Sequence, residues 1–143
     1  MDQPERSSLL AAILTEFSCE TGTLHRAVEG GTFLELVSQV GVPDALLERV
    51  ARIPFGKGIA GEAAARKAPV TLCNLQQDLG GIAKPDARLT GVSGSLAVPI
   101  LTADGAVLGV LGIGKQQPYE FSETETARLI EIAQGIGPLI SVP

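Results

Sequence analysis

Residues 94–115 read GSLAVPILTADGAVLGVLGIGK, and this stretch decides the fold. It predicts two strands, at 94–101 and 106–115, joined by the turn TADG, whose Asp-Gly pair is a hairpin signal. The second strand is apolar at consecutive positions, so we expect a central strand that is covered on both faces. Its glycines, Gly109, Gly112 and Gly114, predict that backbone or a ligand approaches it closely.

The elements around this hairpin are predicted by hydrophobic spacing and turn residues. Apolar residues recur every three or four positions in 5–17 and in 123–140, which predicts a helix at each end of the chain. The last helix begins at a capping box, Ser122-Glu123-Thr124-Glu125. Between the two helices we expect strands at 20–28, 32–40 and 70–73, short helices at 43–50 and 59–67, and a tight turn at 54–58. This order predicts the α+β class, with a mostly antiparallel sheet and the terminal helices together on one face.

Composition limits the function classes. A length of 143 residues with 45% apolar content predicts one ordered domain over 1–143, in which 20–115 hold the sheet and a pocket. The net charge of −5 and the scattered basic residues argue against nucleic acid or an anionic membrane as a partner. No signal peptide or membrane span is visible, and Cys19 and Cys73 are too few for a disulfide framework, so we expect a cytoplasmic protein.

A polar segment of twenty residues, 74–93, is too long to be a bare connection and is expected to be functional. Lys84 and Arg88 lie four positions apart and could meet a carboxylate or phosphate if both pointed inward, although most such side chains are solvated. The polar residues of this region are Asn74, Gln76, Gln77, Lys84, Arg88, Thr90, Ser93 and Ser95.

Several blocks of the chain resemble the GAF domain family. They are IPFGKGIAG at 53–61, APV at 68–70, NLQQD at 74–78, SLAVPI at 95–100, VLGVL at 107–111 and FSETE at 121–125. The resemblance covers essentially the whole chain. It implies a six-stranded antiparallel sheet with the terminal helices on one face and, on the other, a small-molecule pocket covered by the middle helices and the long loop.

The resemblance extends to the free methionine-R-sulfoxide reductases, which share the central signature. Those enzymes use cysteines at three places that correspond here to Val50, Ala60 and Lys84. None of these side chains can act as a thiolate nucleophile, so we expect no such activity and no catalytic residue. The cyclic-nucleotide signature of the family is also missing, because Asn74 is followed by Leu75 rather than by lysine.

Three further features allow more than one interpretation. GKGIAG at 56–61 matches a dinucleotide fingerprint but lacks the surrounding βαβ unit, so a tight turn that seats a helix is favoured. His25, the single histidine, leaves one possible haem ligand, but a hydrogen-bonded or surface residue is favoured, and no residue spacing predicts a metal site. Cys73 is either a redox or attachment site or a small buried residue, and Cys19 is expected to be the latter.

Together these observations predict a non-catalytic sensory or regulatory module. A small ligand of unknown identity would bind near Phe55, Cys73, Asn74, Lys84, Arg88, Ser93 and Ser95, with no cofactor named. Binding would order the loop and bias the packing of the terminal helices, which would pair into a homodimer and act on an effector protein or fused domain. The alternatives are a structural dimerisation module whose pocket is closed by Ala63, Leu96 and Val110, and a redox sensor or enzyme using Cys73.

Overall fold

The structure, a computed structural model, describes residues 3–28, 30–72 and 94–140. Its elements in chain order are α1 (Gln3–Phe17), β1 (Thr21–Val28), β2 (Phe33–Val40), a 3-10 turn (Asp44–Leu46), α2 (Leu47–Ala51), β3 (Arg52–Pro54), α3 (Gly58–Arg66), β4 (Val70–Leu72), β5 (Gly94–Leu101), β6 (Val107–Lys115) and α4 (Glu123–Ile140). The predicted α+β class is confirmed.

The strands form one sheet in the order β3-β2-β1-β6-β5-β4, and each of its pairings is antiparallel. The predicted hairpin of β5 and β6 is present, and β6 lies at the centre between β1 and β5. Gly109 permits the close approach of β1, because a methyl group there would overlap the carbonyl oxygen of His25. The sheet therefore has the six strands that the GAF resemblance implies.

Strand β3 is the element that the sequence does not predict. Pro54 was expected to open a tight turn, but it ends a three-residue strand that pairs with Phe33–Glu35 at the edge of the sheet. Three residues are too few to show a two-residue alternation, and proline is tolerated at such an edge position. The turn itself follows, at 55–57.

The terminal helices cover one face of the sheet, called here the helix face. Helix α1 packs on β1 and β2, and α4 packs on β5 and β6. Their apolar stripes meet the sheet in one cluster, whose buried helical members are Leu10, Ile13, Leu14, Phe17, Leu129, Ala133, Ile136 and Ile140. At the surface, Arg128 bonds to Glu16 at 2.8 Å and so links the two helices.

The opposite face, called here the cavity face, carries α3 and a smaller apolar cluster around Leu34, Ala63 and Val110. The glycines before and within α3 make a turn and a close packing contact rather than a dinucleotide site. Gly56 and Gly58 have φ angles of +91° and +67°, which favour glycine. A methyl group on Gly61 would lie 2.6 Å from the carbonyl oxygen of Pro54, so only glycine lets α3 begin this close to β3.

Candidate functional site

A cavity of about 160 Å³ lies on the cavity face, beside the cluster under α3. This is close to the volume, roughly 150 Å³, that holds a benzene-sized molecule in an engineered protein core. The described residues that line it are Thr21, Gly22, Thr23, His25, Val42, Val50, Ile53, Ile59, Ala60, Ser95, Ala97, Gly112, Ile113 and Gly114.

The floor of the cavity consists of two rows of small residues that run across the sheet. Thr21, Gly114 and Ser95 are paired in one row. Thr23, Gly112 and Ala97 are paired in the next, and a methyl group on Gly112 would lie only 3.0 Å from the Thr23 hydroxyl oxygen. Side chains this short leave the space under the neighbouring elements unfilled.

The walls and roof are apolar. Val50 lies in α2 and Ile53 in β3, while Ile59 and Ala60 lie in the first turn of α3. No charged side chain is present among the described residues that line the cavity. Such a site suits a largely apolar guest that is oriented by a few polar groups.

His25 is the most buried polar side chain of this site, with 1% of its surface exposed. Its Nε2 lies 2.8 Å from the carbonyl oxygen of Val50, whereas its Nδ1 is buried and has no hydrogen-bond partner among the described residues. Burial lowers the pKa of His25 from its ordinary value of 6.5, because the charged ring would lose its hydration, and the bond to Val50 opposes this shift. The ring is therefore neutral at neutral pH.

Three hydroxyl groups add polarity to the floor. The side chains of Thr21, Thr23 and Ser95 make no hydrogen bond within the described part of the chain, although the Ser95 carbonyl accepts one from Thr71 at 2.9 Å. A hydroxyl group can both donate and accept.

The structure separates the predicted site residues into three groups. Ser95 lines the cavity, and its role in binding a ligand stays a prediction. Phe55 packs instead against the apolar cluster under α3. The remaining predicted residues lie outside the described ranges, and their roles stay predictions: Cys73, Asn74, Lys84, Arg88 and Ser93.

The three residues that would close the pocket under the alternative of a dimerisation module are not among the described residues that line this cavity. Ala63 and Val110 are fully buried in the cluster beside it. Leu96 points to the other side of the sheet and packs against the terminal helices, so its expected position was wrong. Neighbouring residues of a strand face opposite sides, and Ser95 and Ala97 rather than Leu96 occupy the cavity face.

His25, Thr21 and Thr23 were not predicted to line the cavity, although their two-residue spacing in a strand puts them on one face. That two-residue spacing was the available signal. Val50 and Ala60 were singled out only as positions where the reductases have cysteines, and both prove to line the cavity. The roof is assembled by tertiary packing, which no local pattern in the chain reveals.

Cys19 is a half-buried thiol between α1 and β1. Its Sγ lies 3.6 Å from the carbonyl oxygen of Phe17. Burial raises the pKa of this thiol to about 11, against a smaller opposing effect of the Lys115 charge. The thiol is protonated at neutral pH, which agrees with the expected structural role.

No group of three or more His, Cys, Asp or Glu side chains within 3–28, 30–72 and 94–140 is arranged to hold a metal ion. Within the same ranges, no helix is both long and apolar enough to cross a membrane.

Comparison with known proteins gives a family match over nearly the whole chain. A family model described as GAF domain matches residues 2–141. A search of curated proteins finds no match.

Solved structures share the fold at low sequence identity. The GAF domain of a phosphoenolpyruvate-protein phosphotransferase from Coxiella burnetii has a TM-score of 0.79 and 20% identity over 99% of this chain and 84% of its own. A domain of a putative two-component sensor histidine kinase from Sinorhizobium meliloti has a TM-score of 0.71 and 17% identity over 97% and 90% of the two chains. The free methionine-R-sulfoxide reductase of Neisseria meningitidis, solved with its substrate, has a TM-score of 0.75 and 23% identity over 94% and 76%.

Proposed function

The chain belongs to the GAF domain family, and from this premise we propose that it is a non-catalytic sensory module that binds a small molecule in the cavity beside His25. GAF domains commonly serve sensory or regulatory roles. The observation that carries the proposal is the cavity of about 160 Å³, whose described lining is apolar at the roof and includes the hydroxyl groups of Thr21, Thr23 and Ser95 on the floor. A domain whose only role was assembly would have no need for such an unfilled space.

The output of the sensor is proposed to pass through α1 and α4. Strand β6 forms part of the cavity floor through Gly112 and Gly114. The next residue, Lys115, donates hydrogen bonds to the carbonyl oxygens of Phe17 and Ser18, at the end of α1, at 2.8 and 2.9 Å. A ligand that contacts Gly114 therefore lies next to a residue that is hydrogen-bonded to the end of a terminal helix. The terminal helices are in turn proposed to pair in a homodimer that acts on an effector protein or domain.

A reductase activity is the competing function, because structural neighbours include free methionine-R-sulfoxide reductases. Two of the three positions at which the resemblance implies their cysteines, Val50 and Ala60, are in the wall of the cavity and carry no thiol. The third, Lys84, carries none either. A mechanism that needs thiolates at these places has no nucleophile here, so we propose binding without catalysis.

The proposal is tested by a thermal-shift screen of small metabolites, nucleotides and carboxylates. A compound present at about 100 times its Kd stabilises the native state by about 2.7 kcal/mol, which raises Tm by several degrees. The variant Ala60→Leu places a larger side chain in the cavity wall and should abolish that rise. Ala65→Leu makes the same change at an exposed position of the same helix and should preserve it.

Two results would contradict the proposal. One is a screen in which no compound raises Tm. The other is a ligand whose stabilisation persists unchanged in Ala60→Leu, because that ligand would bind elsewhere.

A further inference from the structure

The two halves of helix α4 differ in the contacts that stabilise them. The first half begins at the capping box of Ser122 and Glu125. Arg128 then bonds to Glu131 in the next turn and to Glu16 of α1. Within the described part of the chain, the second half has no side-chain hydrogen bond or ion pair of this kind, and its last turn contains no basic residue to complement the helix dipole.

The end of α4 consists of residues that form helix poorly. In the segment 135–140, called here the latch, two of the six residues are glycine and one is proline. Glycine in a helix loses more conformational entropy than alanine, and Pro138 has no N–H group to donate to the carbonyl of Gln134. A segment this short and of this composition does not stay helical in isolation. Its helical form therefore depends on its docking.

The latch docks on a surface of β5 and β6 formed by Ile100, Leu108 and Gly109, called here the seat. A methyl group on Gly137 would lie 3.1 Å from Cγ2 of Ile100 and 3.3 Å from Cδ1 of Leu108, so this glycine lets the helix end approach the sheet closely. Ile140, with 2% of its surface exposed, lies over Gly109, where a methyl group would be 2.9 Å from its Cδ1. Burial of Ile140 in the seat opposes the poor helix propensity of the latch.

From these observations we propose that the latch detaches from the seat and unfolds as a unit while the rest of the domain stays folded. A segment whose order depends on docking alone opens at a lower free energy than a helix with a cap and ion pairs. Gly135 is the hinge, and within the described part of the chain a methyl group placed there would contact no other element. Detachment uncovers the apolar seat and frees the end of the proposed output helix. The inference goes beyond the proposed function and holds whether or not a ligand binds.

Amide hydrogen exchange of the unmodified chain, followed by NMR, measures this opening directly. The amides of Ile136, Gly137, Leu139 and Ile140 are expected to exchange through one common opening, and faster than the amides of 126–134 in the same helix. Equal protection along the whole of α4 overturns the proposal. Exchange of the latch only together with the strands of the sheet overturns it as well, because the latch would then open only on global unfolding.

Gly135→Ala and Ala127→Gly are a matched pair, because both positions are exposed on α4 and each variant exchanges glycine and alanine. Gly135→Ala adds helix propensity at the hinge without adding a contact, so it should slow exchange of the latch about fivefold. Ala127→Gly weakens the first half, which is helical in both the docked and the detached form, and should leave the opening of the latch unchanged. A latch that responds to Ala127→Gly, or that fails to respond to Gly135→Ala, contradicts the proposal.

Ile140→Ala tests the docking, because it removes the side chain that lies in the seat. Loss of a large buried side chain should speed exchange of the latch by at least about thirtyfold, while the strands and 126–134 stay protected because the detached form is still folded. Leu129→Ala removes a similarly buried side chain from the first half of α4 and should destabilise the whole domain. If Ile140→Ala unfolds the domain, or lowers its stability as much as Leu129→Ala does, the latch is not a separate unit and the proposal is wrong.

Discussion

At the scale of single residues, His25 connects the cavity to the stability of the fold. The unfolded chain takes up a proton near the ordinary pKa of 6.5, whereas burial lowers the pKa of the folded form. Above this pH the ring is neutral in both states, so it adds no pH dependence. Below it the unfolded state binds the proton first, and the free energy of unfolding must fall as the pH falls.

We therefore predict that Tm decreases between about pH 7.5 and about pH 5.5, a range in which histidine is the side chain that ordinarily titrates. The slope approaches about 1.4 kcal/mol per pH unit below the unfolded pKa. Thermal unfolding followed by circular dichroism measures it. His25→Gln, which keeps a donor for Val50 but does not titrate, should lose this slope. An unchanged slope in the variant would assign the pH dependence to other groups.

The residues that make the cavity were only partly predictable, for a physical reason. A strand pattern fixes which side chains share a face, so Thr21, Thr23 and His25 could be grouped, but the strand order that brings Ser95 near them could not be predicted from it. The glycines of β6 predicted a close approach by backbone or ligand, but the pattern did not indicate which of the two each glycine faces. Gly109 faces the backbone of β1, while Gly112 and Gly114 lie under the cavity. That distinction depends on which elements cover the sheet.

At the scale of elements, β6 joins the cavity face to the helix face. The last turn of α1 contains no basic residue, so its terminal carbonyl groups lack a cation from their own helix. Lys115 provides one from β6, with 7% of its surface exposed. Its Nζ also lies 4.5 Å from the ring centroid of Tyr119, whose hydroxyl bonds to Glu125 in the first turn of α4 at 2.8 Å. One side chain thus contacts α1 directly and α4 through Tyr119.

We predict that Lys115→Met lowers the free energy of unfolding by about 1.5–3 kcal/mol, the usual value of hydrogen bonds to a charged group. Chemical denaturation measures this, and hydrogen exchange should show faster opening at the end of α1. Lys57→Met, an exposed position in the turn before α3, is the matched control and should change stability by less than about 0.5 kcal/mol. Equal losses in the two variants would show that the contacts of Lys115 contribute nothing beyond charge.

Elements with a local sequence signal, such as a capping box or a hairpin turn, were predicted closely. Strand β3 has no such signal and was not predicted. Helix α4 begins where its capping box predicts, since Ser122 and Glu125 exchange hydrogen bonds of 2.8 and 3.1 Å between backbone and side chain. Strand β5 has its predicted bounds because a hairpin turn fixes its end. Strand β3 forms because it pairs with the free edge of β2. The residues around Arg52–Pro54 contain no local pattern that predicts this pairing.

At the scale of the whole molecule, the sheet separates two environments. The helix face carries the large cluster under α1 and α4, whereas the described residues of the cavity face form a smaller cluster under α3. In the proposed sensor, a ligand on the cavity face influences a partner through the helices on the other face. The outer surfaces of those helices are therefore where the proposed homodimer has to form. Their exposed residues include Ala11, Ala12, Ala127 and Gly135, small side chains that permit close approach.

The final prediction concerns this dimer. At tens of micromolar we expect the solution mass of two chains by sedimentation equilibrium, with a four-helix contact across a two-fold axis. Ala12→Arg puts a long charged side chain at the exposed surface of α1 and should yield monomers. An exposed substitution of this kind should change monomer stability by no more than about 0.5 kcal/mol.

Ala65→Arg is the matched control, because it adds the same side chain at an exposed position of α3, on the cavity face. It should leave the dimer intact, so that only the location of the charge differs between the two proteins. A monomeric mass for the unmodified chain would contradict the prediction outright. Dissociation by Ala65→Arg rather than Ala12→Arg would place the interface on the cavity face. A partner chain would then cover the ligand site, and the terminal helices would lose their proposed role in signalling.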